Sequence, residues 1–243
     1  MEGFSRIDIF DTKGVEYLFV IGYLLILIVF WRVSNKQVKI TKQIQKILGH
    51  VSAKILRIPQ GLFYNKNHTW AHLEKSGTAK VGLDDFLQHI TGEVKFNNLK
   101  NPGDTINKGD LLTEIKQNGK NLKIFSPISG KIQSTNSLLY DSPEILNEDP
   151  YEKGWIYKIT PSNWVAETNS YYLAEEATNW STKELERFKD FLSGGLMQKY
   201  SSEPSMVLLQ DGGELRDNIL SELPDEVWQD FQKEFLNVTH QKD

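Results

Sequence analysis

Cysteine is absent from all 243 residues, which excludes a disulfide framework, thiolate zinc sites, iron–sulfur ligation and a cysteine nucleophile. A surplus of positive charge is missing too: 28 Lys and Arg stand against 32 Asp and Glu, a net charge of −4. A dedicated nucleic-acid binder usually carries the opposite sign over its binding domain, so no nucleic-acid partner is expected. Gly194-Gly195 and Gly212-Gly213 lack the flanking glycine and lysine spacing of phosphate loops and read as helix stops and turns. His50, His89 and His240 have no acidic or histidine cluster around them. His68 and His72 are four residues apart, but on an extended segment that is about 13 Å, too far to share a metal. The acidic doublets Asp84-Asp85, Glu175-Glu176 and Asp225-Glu226 lie near helix starts, where carboxylates suit the macrodipole. No catalytic residue, no metal site and no small-molecule substrate is expected.

What the chain does have is unevenly placed charge. Residues 1–31 sum to −2, residues 32–58 to +7 with no acid among them, and the remainder to −9. Just before the basic stretch, Tyr17 to Trp31 is an uncharged run with aromatics at both ends. Its fifteen residues rise only about 22 Å as a helix against a hydrocarbon core of roughly 30 Å, so the spanning segment is set at 15–33. An acidic leading segment and the lack of a small-residue site at Trp31-Arg32-Val33-Ser34 argue against a cleaved signal peptide. The expectation is an uncleaved single-pass anchor in the cell membrane, with residues 1–14 outside and the main domain cytoplasmic.

After the span, Val38, Ile40, Ile44, Ile47, Leu48, Val51, Ile55 and Leu56 recur mostly at three- and four-residue steps, which predicts an amphipathic helix within 34–58. Arg32, Lys36, Lys39, Lys42 and Lys46 are its candidate membrane-surface residues; the alternative is that this helix packs on protein.

From about residue 60 the pattern changes to short segments punctuated by Gly, Pro and Asn. Strand-like content lies at Trp70–Glu74, Thr78–Gly82, Val94–Asn97, Leu111–Lys116, Leu122–Phe125, Lys131–Thr135 and Trp155–Thr160. This predicts a sandwich or barrel. Ser76-Gly77 and Asn118-Gly119 are hairpin signals, the second pointing to a type I′ turn. Asp84 or Asp85 is placed to cap a short helix over Phe86–Ile90, with Gly92 closing it.

These residues carry a resemblance. Tyr64 with His68-Thr69-Trp70, Val81-Gly82-Leu83-Asp84, Gly92-Glu93-Val94, Pro102-Gly103-Asp104, Gly109, Ser126-Pro127-Ile128-Ser129-Gly130, Asn147-Glu148-Asp149-Pro150-Tyr151 and Gly154-Trp155 stand in order over about a hundred residues. The stretch from Tyr64 to Trp164 resembles the glycine cleavage system H protein, a small lipoyl-carrying shuttle. The resemblance implies a lipoyl-type flattened barrel of two antiparallel sheets. The fold class expected is therefore mainly β, a barrel-sandwich hybrid over 59–166, with an N-terminal transmembrane helix and a helical extension over 167–243.

In that family the lipoylated lysine sits at a hairpin tip, ten residues after a turn glycine and seven before a Ser-Pro pair. Counting forward from Gly109 and back from Ser126 both reach Gly119, so the attachment lysine is absent. Lys116 occupies the position of the family's glutamate, and Lys120 is one residue along. A one-residue shift turns a strand residue to the other face, so lipoate is expected to be absent.

Beyond Trp164, Ser181-Thr-Lys-Glu184 reads as a capping box ahead of an apolar stripe of Leu185, Phe188, Phe191 and Leu192. Pro224 opens a second helix with Val227, Trp228, Phe231 and Phe235 on one side, and Met206–Gln210 reads as a strand. The stripes are expected to pack on the barrel, the alternative being that they dock on another subunit. The functional expectation is a non-catalytic binding or assembly subunit of a membrane complex, in contact with protein partners. The alternative is a membrane-tethered lipoyl carrier that uses Lys120 to pass intermediates to a membrane-bound redox enzyme.

Overall fold

The structure, a computed structural model, describes Gly14 and residues 17–32, 56–192 and 218–237. Lys36, Lys39, Lys42 and Lys46, nearly all of the basic amphipathic helix and the strand expected at Met206–Gln210 lie outside those residues.

Residues 17–32 are helical, as helix α1, and exposed. Its sixteen described residues rise about 24 Å, short of the roughly 30 Å hydrocarbon thickness. Among the described residues no helix is long and apolar enough to cross a membrane. This overturns the span expected over 15–33, and with it the membrane placement and the orientation drawn from it.

Among the described residues, nine strands form two antiparallel sheets. The larger sheet orders β1 (Phe63–Asn65), β2 (Thr69–Leu73), β3 (Ala79–Leu83), β9 (Trp155–Pro161), β8 (Gly130–Thr135) and β5 (Thr105–Ile106). The smaller orders β4 (Lys95–Asn98), β6 (Leu111–Gln117) and β7 (Lys120–Phe125). Alternation along the strands explains their pairing: Leu122 and Ile124 of β7 point inward while Asn121 and Lys123 face out, and Ile132 of β8 joins Val81 and Ile159 in the core. β1 and β5, three and two residues long, were not expected; they are too short to show a period.

Ser76-Gly77 does turn a hairpin, but as a three-residue loop: Gly77 has φ +84 and its N–H donates to the Glu74 carbonyl at 2.9 Å. Helix α2 (Asp85–Thr91) crosses between the sheets, capped by Asp84, which accepts from the Leu87 N–H at 2.9 Å, and stopped by Gly92. Short helices α3 (Leu138–Asp141), α4 (Ile145–Glu148) and α5 (Trp164–Thr168) bracket β9.

Helix α6 (Ala174–Asp190) starts seven residues before the expected capping box. Ser181 lies inside it, buried, and Glu184 is turned inward rather than back toward a helix start. Leu185, Phe188, Phe191 and Leu192 do face the core, as the stripe predicts. They meet α7 (Ile219–Glu222), α8 (Asp225–Phe231) and the π-helical turn Gln232–Leu236 in one aromatic cluster, with Phe231 stacked on Phe235 at 4.7 Å and Phe86 of α2 edge-on to Phe188 at 5.6 Å.

Candidate functional site at the hairpin tip

The β6–β7 hairpin is held in register by Ile115 opposite Leu122 and Gln117 opposite Lys120, leaving Asn118 and Gly119 as the two-residue loop. Their φ angles of +50 and +80 are those of the type I′ turn. Gly119 therefore occupies the tip in a left-handed conformation, with open space where a Cβ would be. Gln117 ties the hairpin to the turn after α2, donating from Nε2 to the carbonyls of Thr91 at 2.9 Å and Glu93 at 2.7 Å. Lys116 lies directly across from Lys95 of β4 and pairs along its own strand with Glu114 at 3.4 Å.

Lys120 is not a free arm. Its Nζ donates to the carbonyls of Ser221 at 2.9 Å and Leu223 at 2.5 Å, and lies 5.6 Å from the Trp228 ring centre. Burial lowers its pKa below the ordinary lysine value, and the Asp225 carboxylate pulls part of the way back. The segment that holds it is itself anchored: the Asn218 N–H donates to the His89 carbonyl at 2.8 Å, and Asn218 sits so close to Gly92 that a Cβ there would lie 1.3 Å from Oδ1.

A second polar centre was missed in the sequence. His68, placed by its neighbours on an extended segment, is instead in the β1–β2 turn at φ +56 and fully buried. Its Nδ1 is 2.8 Å from Asp84 Oδ2 and its Nε2 is 3.5 Å from Glu184 Oε2, with the ring stacked on Phe86 at 4.5 Å. Burial pulls the imidazole pKa down, but Asp84 first and Glu184 second more than offset it, raising it to about 9. Glu184 is held below the usual carboxylate range against its own burial, by His68 and by Arg187 at 2.7 Å. The only sequence signal for this centre is that Asp84 caps α2; Glu184 is too far along the chain to be linked to it.

His89, read as lying outside any acidic or histidine cluster, has Nε2 3.3 Å from Asp85 Oδ2, one helical turn back. Asp85 is buried, and Arg57 donates to it from the backbone N–H at 2.8 Å, Nε at 3.1 Å and Nη2 at 2.8 Å. Burial raises the Asp85 pKa, but the His89 and Arg57 hydrogen bonds hold it below its ordinary value. Arg57 also donates to the carbonyls of Asn147 and Glu148, so the packed body begins before Pro59.

The two sheets thus form a flattened barrel that holds out a two-residue hairpin at Asn118-Gly119. Residues 62–184 match the family model described as Glycine cleavage H-protein. The chain is 42% identical over 107 residues to the probable glycine cleavage system H protein of Thermococcus gammatolerans, covering 44% of this chain and 79% of that one. It is 36% identical over 122 residues to the H protein of Psychrobacter cryohalolentis, covering 50% and 96%. A crystal structure of the H protein from Mycobacterium marinum aligns at a TM-score of 0.46 and 24% identity, over 51% of this chain and 99% of that one. This chain belongs to the glycine cleavage H-protein family, which is normally a lipoyl carrier in glycine cleavage and not itself a catalyst. The groups that hold Lys120 (Ser221, Leu223 and Trp228) lie beyond the matched residues.

Proposed function

We propose that this chain is an H-protein-family subunit that no longer carries lipoate and works through protein contacts, as a binding or assembly component. The observation that carries the reading is Gly119 in the left-handed tip of a type I′ turn, at the position where the resemblance puts the attachment lysine. The nearest substitute supports it from the other side. The Lys120 amine spends its hydrogen bonds on two backbone carbonyls, and an acylated Nζ keeps one N–H and no charge, so modification would break this docking. No side chain at the tip supplies a thiol in place of the missing arm, since the chain has no cysteine.

Intact-mass spectrometry of the protein isolated from lipoate-synthesising cells tests this directly. The expected spectrum is that of the unmodified chain. A lipoyl adduct mapped to Lys120 would overturn the reading and make the chain a carrier with a displaced arm.

A further inference from the structure

A polar cleft of about 500 Å³ lies beside the hairpin, walled by α2, the tip, α4 and α7. Gln88, Gln117 and Asn147 line it. Gln88 is 3% exposed, yet neither its Oε1 nor its Nε2 has a hydrogen-bond partner. Gln117 has its orientation fixed, because Nε2 already donates to two carbonyls, so its buried, unpartnered Oε1 is truly an acceptor. Asn147 Oδ1 is a third buried acceptor without a donor.

Buried polar groups in native proteins are satisfied, and each orphan costs about 1–3 kcal/mol. Three orphaned carbonyl oxygens on residues that line one cleft, against one orphaned NH2 group, make a site that lacks donors rather than acceptors. The carboxylates of Asp85 and Glu93 line the same cleft. Asp85 is already balanced by Arg57 and His89, whereas Glu93 is exposed at the rim and adds negative charge. An anion would be repelled there, and a carbonyl-rich ligand would find too few donors.

We propose that this cleft binds a cation with several N–H donors, a primary ammonium or a guanidinium, on the carbonyl oxygens of Gln88, Gln117 and Asn147. Either a free amine or a lysine or arginine side chain of a protein partner presents that chemistry. The site is separate from Lys120, whose amine is turned to the Ser221 and Leu223 carbonyls, and its existence does not depend on whether the tip is lipoylated.

The test is a titration of the isotopically labelled full chain, following the side-chain amide resonances of Gln88 and Gln117. Methylammonium and guanidinium are the probes, and tetramethylammonium, equal in charge but without N–H groups, is the control. The expected result is a saturable shift with both probes and at least tenfold weaker binding of tetramethylammonium. Gln88→Leu should abolish the response. Because that change alters a buried position of α2, Glu93→Gln at the exposed rim serves as the second variant and should weaken methylammonium at least threefold. Equal responses to the methylated and N–H-bearing cations would overturn the proposal, as would a non-saturable shift or an unchanged affinity in Glu93→Gln. Comparing Nα-acetyl-lysine methylamide with methylammonium separates the sources: tighter binding of the lysine derivative assigns the site to a protein partner, equal binding to a free amine.

Discussion

The Nζ of Lys120 lies 2.5 Å from the carbonyl oxygen of Leu223, a residue 103 positions away in sequence, and this bond joins the barrel's hairpin to the C-terminal helices. With the Ser221 carbonyl as second acceptor, the ammonium satisfies two backbone groups near the end of α7 that have few other donors at hand.

Replacing Lys120 with Met keeps the apolar stem over Trp228 and removes the donor. The expected loss is about 1–3 kcal/mol, for two carbonyls left without a partner in a half-buried site. Urea unfolding reads the global part. Limited proteolysis reads the local part, and cleavage of residues after 217 should accelerate in Lys120→Met while the barrel stays intact.

Restoring the family's lysine at the tip is a backbone experiment. A Cβ at Gly119 meets no atom within 4 Å, so the main cost is that of holding φ at +80, about 1–2 kcal/mol. The barrel should survive Gly119→Lys. Lipoylation should not return with that change alone, since Lys116 and Asn118 still shape a basic, tight tip; Gly119→Lys with Lys116→Glu should be the better substrate. Mass spectrometry of both variants decides, and efficient lipoylation of the single variant would show that only the lysine had been lost.

The His68 centre makes stability fall with rising pH. Its folded-state pKa of about 9 lies above the ordinary 6.5, so the stabilisation is fully present below pH 6.5 and is lost as pH climbs through about 9. The span corresponds to roughly 3 kcal/mol. Chemical denaturation at pH 6 and pH 9.5 should show the drop, and Glu184→Gln should shrink it by removing one of the two carboxylates that hold the charge.

Truncation before residue 56 should be tolerated better than truncation before residue 59. The second removes Arg57 and leaves the Asp85 carboxylate buried with fewer donors, a loss of about 2–4 kcal/mol. Arg57→Met in the full chain isolates the side-chain share, since the backbone N–H bond to Asp85 remains. Comparable melting curves for the two truncations would show that Arg57 contributes nothing.

Local chemistry made the tip legible. A two-residue Asn-Gly between alternating strands specifies its own φ signs, and the structure repeats them at Asn118 and Gly119. The Asp84 cap and the Gly92 stop were legible for the same reason. What escaped depends on distance. Nothing near His68 announces Glu184, and the acceptors of Lys120 are main-chain carbonyls, which leave no trace in residue identity. The start of α6 was missed because Leu173 offers no capping side chain, whereas Ser181 and Glu184 have the spacing of a cap and serve the core instead. The apolar run after Tyr17 was legible as a helix, but among the described residues no helix is long and apolar enough to cross a membrane.

Gln232 grips β7 from outside: its Oε1 accepts from the Lys123 N–H at 2.6 Å and its Nε2 donates to the Lys123 carbonyl at 3.2 Å. β7 is an edge of the three-stranded sheet, and an unpaired edge is a template on which another chain can add a strand. One carboxamide thus imitates the next strand at the middle of that edge and withholds it from others. The C-terminal segment covers the middle of that edge as well as packing on the barrel, and a chain cut short before Gln232 is expected to leave the Lys123 N–H and carbonyl open to another strand.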